Sequence, residues 1–323
     1  MMCPICGDDA NPPGARFCEG CGTSLDPAAR HLKRGCQCKE PELDADGFCQ
    51  ICGLKPAKPA AAAEFEQIVD GALALASDKG KIHPTNQDFG LVARRADGAA
   101  LIVVADGVST SDNPEAASRA AAKAAERAFL RAEAGAGPLS TEAAALVREA
   151  AEAVIATPVA ERIHDGPAST IVVALARENT ASGALDVGLA WVGDSRAYFV
   201  AANVPATQLT RDDSWLADQV EAGAISREEA MRSPFSHAIN QWLGMPEADM
   251  KIHARDAVLT HGSGLLLCSD GLWKYADDDA AFARAFTDAA RDAADATATC
   301  RALVAFANAA GGSDNITVAL LRA

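Results

Sequence analysis

The sequence predicts an α+β fold: one large domain of mixed helices and strands, preceded by a small cysteine-rich segment. Its 323 residues are too many for one average domain and too few for three, which suggests a domain of ~250 residues plus a small one. Hydrophobic residues make up 49% and charged residues 23%, as in ordinary globular proteins. After the cysteine-rich segment, short Val/Ile/Leu-rich runs alternate with alanine-rich stretches of helical period, which is typical of helices packed on a sheet.

The charge and the apolar pattern argue against several partners. A formal charge of -15 and a pI near 4.8 repel phosphate backbones and anionic lipid head groups. No apolar run reaches the ~18 residues that a membrane span requires, and the N-terminus begins with cysteines instead of a signal-peptide hydrophobic stretch. We therefore expect a cytoplasmic protein with neither nucleic acid nor a membrane as its partner.

The first 54 residues predict two zinc ribbons. Eight of the ten cysteines fall there as four close pairs, and in a reducing compartment such pairs bind metal more readily than they form disulfides. The first set has two CxxC pairs and the second begins with a tighter CxC pair, so that each set offers four thiolates to one structural Zn²⁺. The predicted ligands are Cys3, Cys6, Cys18 and Cys21 for one ion and Cys36, Cys38, Cys49 and Cys52 for the other. An iron–sulfur or redox site is the alternative.

The charge of this segment favours a structural or protein-contact role. Residues 1–63 contain seven Lys and Arg against eight Asp and Glu, so no basic surface is available for nucleic acid. The prolines and alanines of residues 55–63 predict a linker, and residues 64–323 then form the large domain.

The elements of the large domain follow from apolar runs and from helix boundary signals. Strands are predicted at 101–105, 170–176, 187–192, 197–200, 265–268 and 316–321, all short and apolar or β-branched. Helices are predicted at about 114–134, where Asn113 can cap and Pro114 suits the first turn, at about 141–156, near 278–291, and at 293–310 before Gly311.

Aspartates at strand ends are the main functional signal. Three apolar strands finish in Asp106, Asp194 and Asp270, and two further aspartates, Asp88 and Asp314, lie in polar turns. Asp before Gly is a common turn former, so five separate turns are one interpretation. The other is that neighbouring strands bring their carboxylates to one place, where divalent cations must offset the repulsion. Oxygen-rich, histidine-poor ligands favour Mg²⁺ or Mn²⁺.

Seven motifs in a fixed order resemble the metal-dependent serine/threonine protein phosphatases of type 2C, the PPM family. They span residues 77–323 and comprise GKIHPTNQD, VVADGV followed by AAS, ASTIVVALA, WVGDSRAY, LTRDDS, LLLCSDGL and SDNITVALL. The resemblance implies a four-layer α-β-β-α sandwich with a binuclear Mn/Mg centre in a cleft between two mainly antiparallel sheets.

The resemblance also assigns roles to single residues. Asp106 would bridge both metals and the Gly107 carbonyl would bind one of them. Asp270 and Asp314 would complete the first metal's ligands, and Asp88 would support the second. Asp194 with Asp270 matches the site of a third, weaker ion, so two to three ions are expected.

The function implied by the resemblance is hydrolysis of phosphoserine and phosphothreonine by a metal-activated water, with no phosphoenzyme. The expected partners are phosphorylated proteins that Ser/Thr kinases produce, with possible protein contacts through the zinc ribbons. The alternative is a catalytically weak phosphatase-fold protein that binds phosphopeptides or regulates partners through the ribbons.

Three departures from the family pattern affect the chemistry. His83 stands where many relatives have an arginine that clamps the substrate phosphate, and a histidine is a weaker donor whose charge depends on pH. Gln87 replaces a common glutamate. Val108 occupies the place of a proposed general-acid histidine. The segment between LTRDDS and Leu243 matches the family's variable flap, in which Trp215 and Trp242 are expected to pack on the sheet or cover the cleft.

Overall fold

The structure is a computed structural model in which the chain divides into two units, Met1–Pro59 and Ala60–Ala323. It describes residues 64–323 apart from 134, 136, 160–165 and 202–203. The predicted zinc ribbons and the predicted linker at 55–63 lie outside the described residues. None of the described helices is long and apolar enough to cross a membrane.

The described chain contains eleven strands and seven helices. The strands are β1 (Phe65–Ile68), β2 (Leu73–Asp78), β3 (Asp88–Arg94), β4 (Ala100–Asp106), β5 (Ile171–Asn179), β6 (Ala184–Val192), β7 (Arg196–Ala201), β8 (Thr207–Gln208), β9 (His253–Leu259), β10 (Ser263–Cys268) and β11 (Ile316–Arg322). The helices are α1 (Pro114–Arg131), α2 (Leu139–Ile155), α3 (Trp215–Glu221), α4 (Arg227–Met231), α5 (Asp270–Trp273), α6 (Asp279–Ala290) and α7 (Ala296–Ala310).

The strands form two antiparallel sheets that lie face to face. The first sheet has the order β1-β2-β11-β10-β7-β8, and the second has the order β3-β4-β5-β6-β9. Residues that alternate along the strands, such as Ile102 on β4 and Leu267 on β10, form the apolar layer between the sheets. The intervening residues face the helices, with α1 and α2 on the second sheet and α5, α6 and α7 on the first. This is the four-layer α-β-β-α sandwich expected from the sequence.

Burial on both faces explains which strands were predictable. All six predicted strands are present, because strands covered on both sides must be apolar at every position. Four of the five that were not predicted, β1, β3, β8 and β9, lie at sheet edges, whereas the buried apolar strand β2 was missed although it lies inside its sheet. The edge strand β9 has the sequence HARDAVL with most of its side chains exposed or half-buried.

The ends of two helices differ from the predictions. Asn113 does precede α1, but it adopts a left-handed conformation with φ 54° and its side chain makes no capping hydrogen bond. Its amide instead donates to the Pro158 carbonyl at 3.4 Å. Helix α2 begins at Leu139, so Ser140 lies inside it and donates from its N–H and its hydroxyl to Asp256. Tertiary contacts override the local cap preferences at both positions.

Candidate metal centre

Two of the predicted metal-binding aspartates face each other across adjacent strands of the second sheet. Asp88 begins β3 and Asp106 ends β4, and the antiparallel register places them directly opposite one another. Side chains opposite each other in such a pair have Cβ atoms ~5 Å apart. Two carboxylates at this spacing repel each other unless a cation or a proton intervenes.

The other three aspartates lie at the same end of the sandwich. Asp270 follows the end of β10 and Asp314 precedes β11, and these two strands are antiparallel neighbours in the first sheet. Asp194 lies in the turn where the chain passes from β6 in the second sheet to β7 in the first. A hydrogen bond of 2.6 Å from the Ser269 hydroxyl to Asp88 Oδ2 joins the two sheets at this point.

The five carboxylates lie close enough for their charges to raise one another's pKa values in several pairs. Burial raises the pKa of Asp106 well above its ordinary value, and the charges of Asp88, Asp270, Asp194 and Asp314 raise it further. Burial also raises the pKa of Asp88 to about 7, against the opposing hydrogen bonds from Ser269 and Thr317. Asp106 therefore lies close enough to the other four aspartates for their charges to act on it.

Two buried carboxylate oxygens in this group have no hydrogen-bond partner, Asp88 Oδ1 and Asp270 Oδ1. An ionised oxygen that is removed from water without a partner costs several kcal/mol, which a bound cation would offset. The donor set consists of oxygens, as Mg²⁺ and Mn²⁺ prefer, so the residues present fit such ions.

Lys274 engages two of the same aspartates. Its Nζ forms an ion pair with Asp270 Oδ2 and lies 3.2 Å from Asp314 Oδ2. Within the described part of the chain, no three His, Cys, Asp or Glu side chains are already arranged to hold an ion. Asp270 and Asp314 each turn one oxygen to Lys274, and the other oxygen of Asp270 stays unpaired.

Gly107 fits only because it has no side chain. A Cβ at this position would lie 2.4 Å from the Pro114 carbonyl oxygen and 2.8 Å from that of Gln87. The Gly107 N–H donates to the Gln87 carbonyl at 3.1 Å, which fixes the chain immediately after Asp106. The backbone of Gly107 thus lies against the segment that carries Asp88, and Gly107 lines the cleft.

His83 contacts the carboxylate group through Asp314. The distance from its Nε2 to Asp314 Oδ1 is 3.4 Å, and its side chain is 28% exposed. His83 thus faces the cluster but also retains access to solvent.

Asn315 is a positioning residue that sequence reasoning missed. Its Oδ1 accepts a hydrogen bond from the Gln87 N–H at 2.8 Å, and its Nδ2 donates to the carbonyls of Lys79 at 2.8 Å and Thr85 at 3.0 Å. These three bonds hold the loop that carries His83 against the start of β11. The position of Asn315 directly after Asp314 in the SDN motif was the available signal.

A cleft of about 700 Å³ opens over the carboxylates. Four of the five aspartates contribute to its floor, since Asp88 lies deeper. Flap residues such as His237, Ile239 and Trp242 contribute to its wall, as does Met245 beyond the flap. Trp242 therefore covers the cleft, whereas Trp215 packs against Phe235 with ring centroids 6.0 Å apart. Val108 also lines the cleft, and His237 is a second site residue that the sequence did not single out.

Cys268 takes no part in this chemistry. It is fully buried on β10, and burial raises the pKa of its thiol above the ordinary value. A neutral, inaccessible thiol is not a nucleophile, so Cys268 is a residue of the apolar core.

The sandwich and its carboxylate cleft define a metal-dependent hydrolase of phosphate esters, because oxygen-bound Mg²⁺ or Mn²⁺ is the usual catalyst of that reaction. The family described as protein phosphatase 2C matches residues 83–306. This chain belongs to that family, and its activity is that of a protein serine/threonine phosphatase.

Individual relatives agree with this assignment. The chain is 28% identical over 247 residues to the serine/threonine phosphatase Stp of Listeria welshimeri, a match that covers 76% of this chain and 93% of that protein. The structure of the PPM Ser-Thr phosphatase MsPP of Mycobacterium smegmatis, in complex with cacodylate, matches with a TM-score of 0.60 and 28% identity over 81% of this chain and 99% of the other. The catalytic domain of the phosphatase PstP, in complex with two manganese ions, matches with a TM-score of 0.59 and 28% identity over 77% and 96%.

Proposed function

We propose that this chain hydrolyses phosphoserine and phosphothreonine in proteins with two Mn²⁺ or Mg²⁺ ions held by its strand-end carboxylates. The proposed ligands are Asp88, Asp106, the Gly107 carbonyl, Asp270 and Asp314. The observation that carries the proposal is the position of Asp106, which lies directly opposite Asp88 across the β3–β4 pair and lines the same cleft as Asp194, Asp270 and Asp314. The relative PstP, with its two manganese ions, supports the choice of metal.

When bound, the ions would supply Lewis acidity, which lowers the pKa of a water and offsets negative charge on the phosphoryl oxygens. The chain itself supplies rigid positions for the ligands. The Thr170 N–H donates to the Asp106 carbonyl at 2.7 Å, and the Ser169 hydroxyl donates to the same oxygen at 3.0 Å. Ser269 occupies Asp88 Oδ2, which leaves Oδ1 available. Such preorganisation is the main contribution of a protein to a metal-assisted reaction.

The walls of the cleft suit a phosphorylated side chain. Pro167, Trp242 and Met245 present apolar surface beside the acidic floor, which excludes water and strengthens electrostatic contacts inside. We assign the phosphate-positioning role to His83, whose imidazole faces Asp314 from the loop held by Asn315. No general acid is assigned, since Val108 cannot donate a proton.

The full chain should release phosphate from a phosphothreonine peptide only when Mn²⁺ or Mg²⁺ is added. His83→Ala should raise KM by about 10-fold with less change in kcat, because one charge-assisted hydrogen bond contributes ~1.5–3 kcal/mol. His261→Ala is the matched control, since His261 is exposed in the turn between β9 and β10. The measurement is initial rate against peptide concentration. A chain with no metal-dependent release refutes the proposed function, and an unchanged KM in His83→Ala refutes the role of His83.

We further propose that residues 1–54 form a zinc-binding module that contacts protein partners and takes no part in hydrolysis. Each predicted set supplies four thiolates and leaves no open coordination position for a substrate. The Pro/Ala-rich residues 55–63 separate it from all seven phosphatase motifs.

Elemental analysis of the full chain should find about two zinc ions per chain. A chain that begins at Glu64 should lose this zinc and retain Mn²⁺-dependent hydrolysis of a small phosphate ester. The control is the full chain assayed in parallel on the same ester. If the shortened protein folds and binds Mn²⁺ yet does not hydrolyse the ester, the N-terminal segment belongs to the catalytic apparatus.

A further inference from the structure

Lys274 is a cation built into the carboxylate cluster by local geometry. It follows Asp270 by four residues at the end of α5, and its backbone N–H donates to the Asp270 carbonyl at 3.0 Å. Residues four apart on a helical turn lie side by side. The Lys274 ammonium is thereby brought to Asp270 Oδ2, and it also reaches Asp314 Oδ2 at 3.2 Å.

The surroundings of Lys274 keep it charged and in place. Its side chain is only 24% exposed. Burial acts to lower the pKa of Lys274, but the charges of Asp270, Asp314 and Asp194 outweigh this effect and hold the pKa above its ordinary value. An ammonium held by several carboxylates in a partly dry site is much less screened than one on the surface.

The two oxygens of Asp270 have different environments. Oδ1 is buried and has no hydrogen-bond partner, whereas Oδ2 is paired with Lys274. One oxygen of Asp270 is therefore available to an ion of the binuclear centre. The other oxygen already has a cation, so it is not available to a further ion between Asp270 and Asp194.

Burial and the charges of Asp270 and Asp212 raise the pKa of Asp194 well above its ordinary value, and two nearby cations, Lys274 and Arg196, act in the opposite direction. The Arg196 guanidinium is committed elsewhere: it pairs with both carboxylate oxygens of Asp212 at 2.9 and 2.6 Å, donates to the Tyr198 hydroxyl at 2.9 Å, and stacks 3.6 Å from the Trp273 ring centroid. Asp194, Arg196 and Lys274 line the same pocket, and with Arg196 committed to Asp212, Lys274 is the cation there that pairs with Asp270.

We propose that the Lys274 ammonium is the resident cation between Asp270 and Asp194, so that this centre holds two divalent ions and not three. The proposal rests on the proposed function, since it concerns the same metal centre. Lys274 is a positioning residue: its single charge partly neutralises the two carboxylates and repels any additional divalent ion. Asp314 can leave Lys274 for an ion of the binuclear centre without affecting this arrangement, because Asp270 Oδ2 still holds the ammonium.

The test counts Mn²⁺ ions bound per full chain, from the electron paramagnetic resonance signal of free Mn²⁺ during a titration. The wild-type chain should bind two ions. Lys274→Ala and Lys274→Gln should bind three, and the two original ions should bind at least about tenfold more tightly because a nearby positive charge is gone. Adding Asp194→Asn to Lys274→Ala should return the count to two. Lys123→Ala is the matched control, since Lys123 pairs with Glu126 on the surface of α1 at 2.8 Å; its count should stay at two.

The outcomes separate this proposal from the proposed function. Three ions on the wild-type chain would leave the phosphatase function intact but overturn the role of Lys274. The third ion would then displace the Lys274 ammonium from Asp270. Two ions on both wild type and Lys274→Ala would overturn it as well, because Lys274 would not be what excludes the third. A wild-type chain that binds no Mn²⁺ would overturn the proposed metal centre and this inference together. Lys274→Gln keeps the experiment decisive if the alanine variant fails to fold.

Discussion

Asp106→Asn is expected to lower Mn²⁺-dependent hydrolysis of phosphopeptides by 100-fold or more, the order of effect seen when a preorganised charge-stabilising group is removed. Asp106 faces Asp88 across the β3–β4 pair, and it ends the apolar strand β4. Asparagine preserves the shape of the side chain but removes the charge that would be shared between two ions. The measurement is kcat/KM on a phosphothreonine peptide at saturating Mn²⁺.

The control for Asp106→Asn is Asp186→Asn. Asp186 lies near the start of β6, at the end of the strand opposite to the Asp194 turn, and accepts a hydrogen bond from Asn179 at 3.1 Å. This variant should retain normal activity. A folded Asp106→Asn protein with near-normal turnover would show that Asp106 does not bridge the ions.

The fold was predictable to the extent that burial leaves a mark on the sequence. Strands β4, β5 and β10 are buried on both faces, so they consist of apolar runs that stand out from the polar turns. The aspartates at the strand ends stand out for the same reason. Asp106 ends β4, and Asp194 and Asp270 closely follow β6 and β10. A charge at the end of an apolar run needs an explanation. Edge strands such as β9 carry no such mark, since their exposed side chains are free to be polar.

The contacts that organise the centre were less predictable, because they join distant parts of the chain. The pairing of Asp270 with Lys274 is an i,i+4 relation that the DGLWK sequence contains. The second contact of Lys274 crosses 40 residues to Asp314, and the Asn315 amide reaches back 230 residues to the Thr85 carbonyl. Nothing local to either residue indicates these contacts, which depend on β10 and β11 being neighbours. The position of His237 in the cleft depends likewise on how the flap folds.

Asp88→Asn should stabilise the chain in the absence of added divalent ions and at the same time remove most of its response to Mn²⁺. The Asp88 carboxylate is 6% exposed, its Oδ1 has no hydrogen-bond partner, and it faces Asp106 across the β3–β4 pair. Removing a buried charge that repels its neighbours should raise the free energy of unfolding by about 1 to 3 kcal/mol. For a domain of this size that corresponds to a rise in Tm of about 3 to 10 °C. An amide can still accept the Ser269 hydroxyl, so the link between the two sheets is kept.

The thermal unfolding of wild type, Asp88→Asn and Asp186→Asn, each with and without Mn²⁺, decides this prediction. Wild type and Asp186→Asn should gain stability from Mn²⁺, by ~2.7 kcal/mol when the ion is at 100 times its Kd. Asp88→Asn should start from a higher Tm and gain little, because it lacks one of the ligands. A lower Tm for Asp88→Asn without Mn²⁺ would show that the buried carboxylate is already compensated in the ion-free chain. A full Mn²⁺ response in this variant would remove Asp88 from the ligand set. The expected combination, a more stable protein that has lost its response to the ion, follows only if the carboxylate is buried to bind a cation.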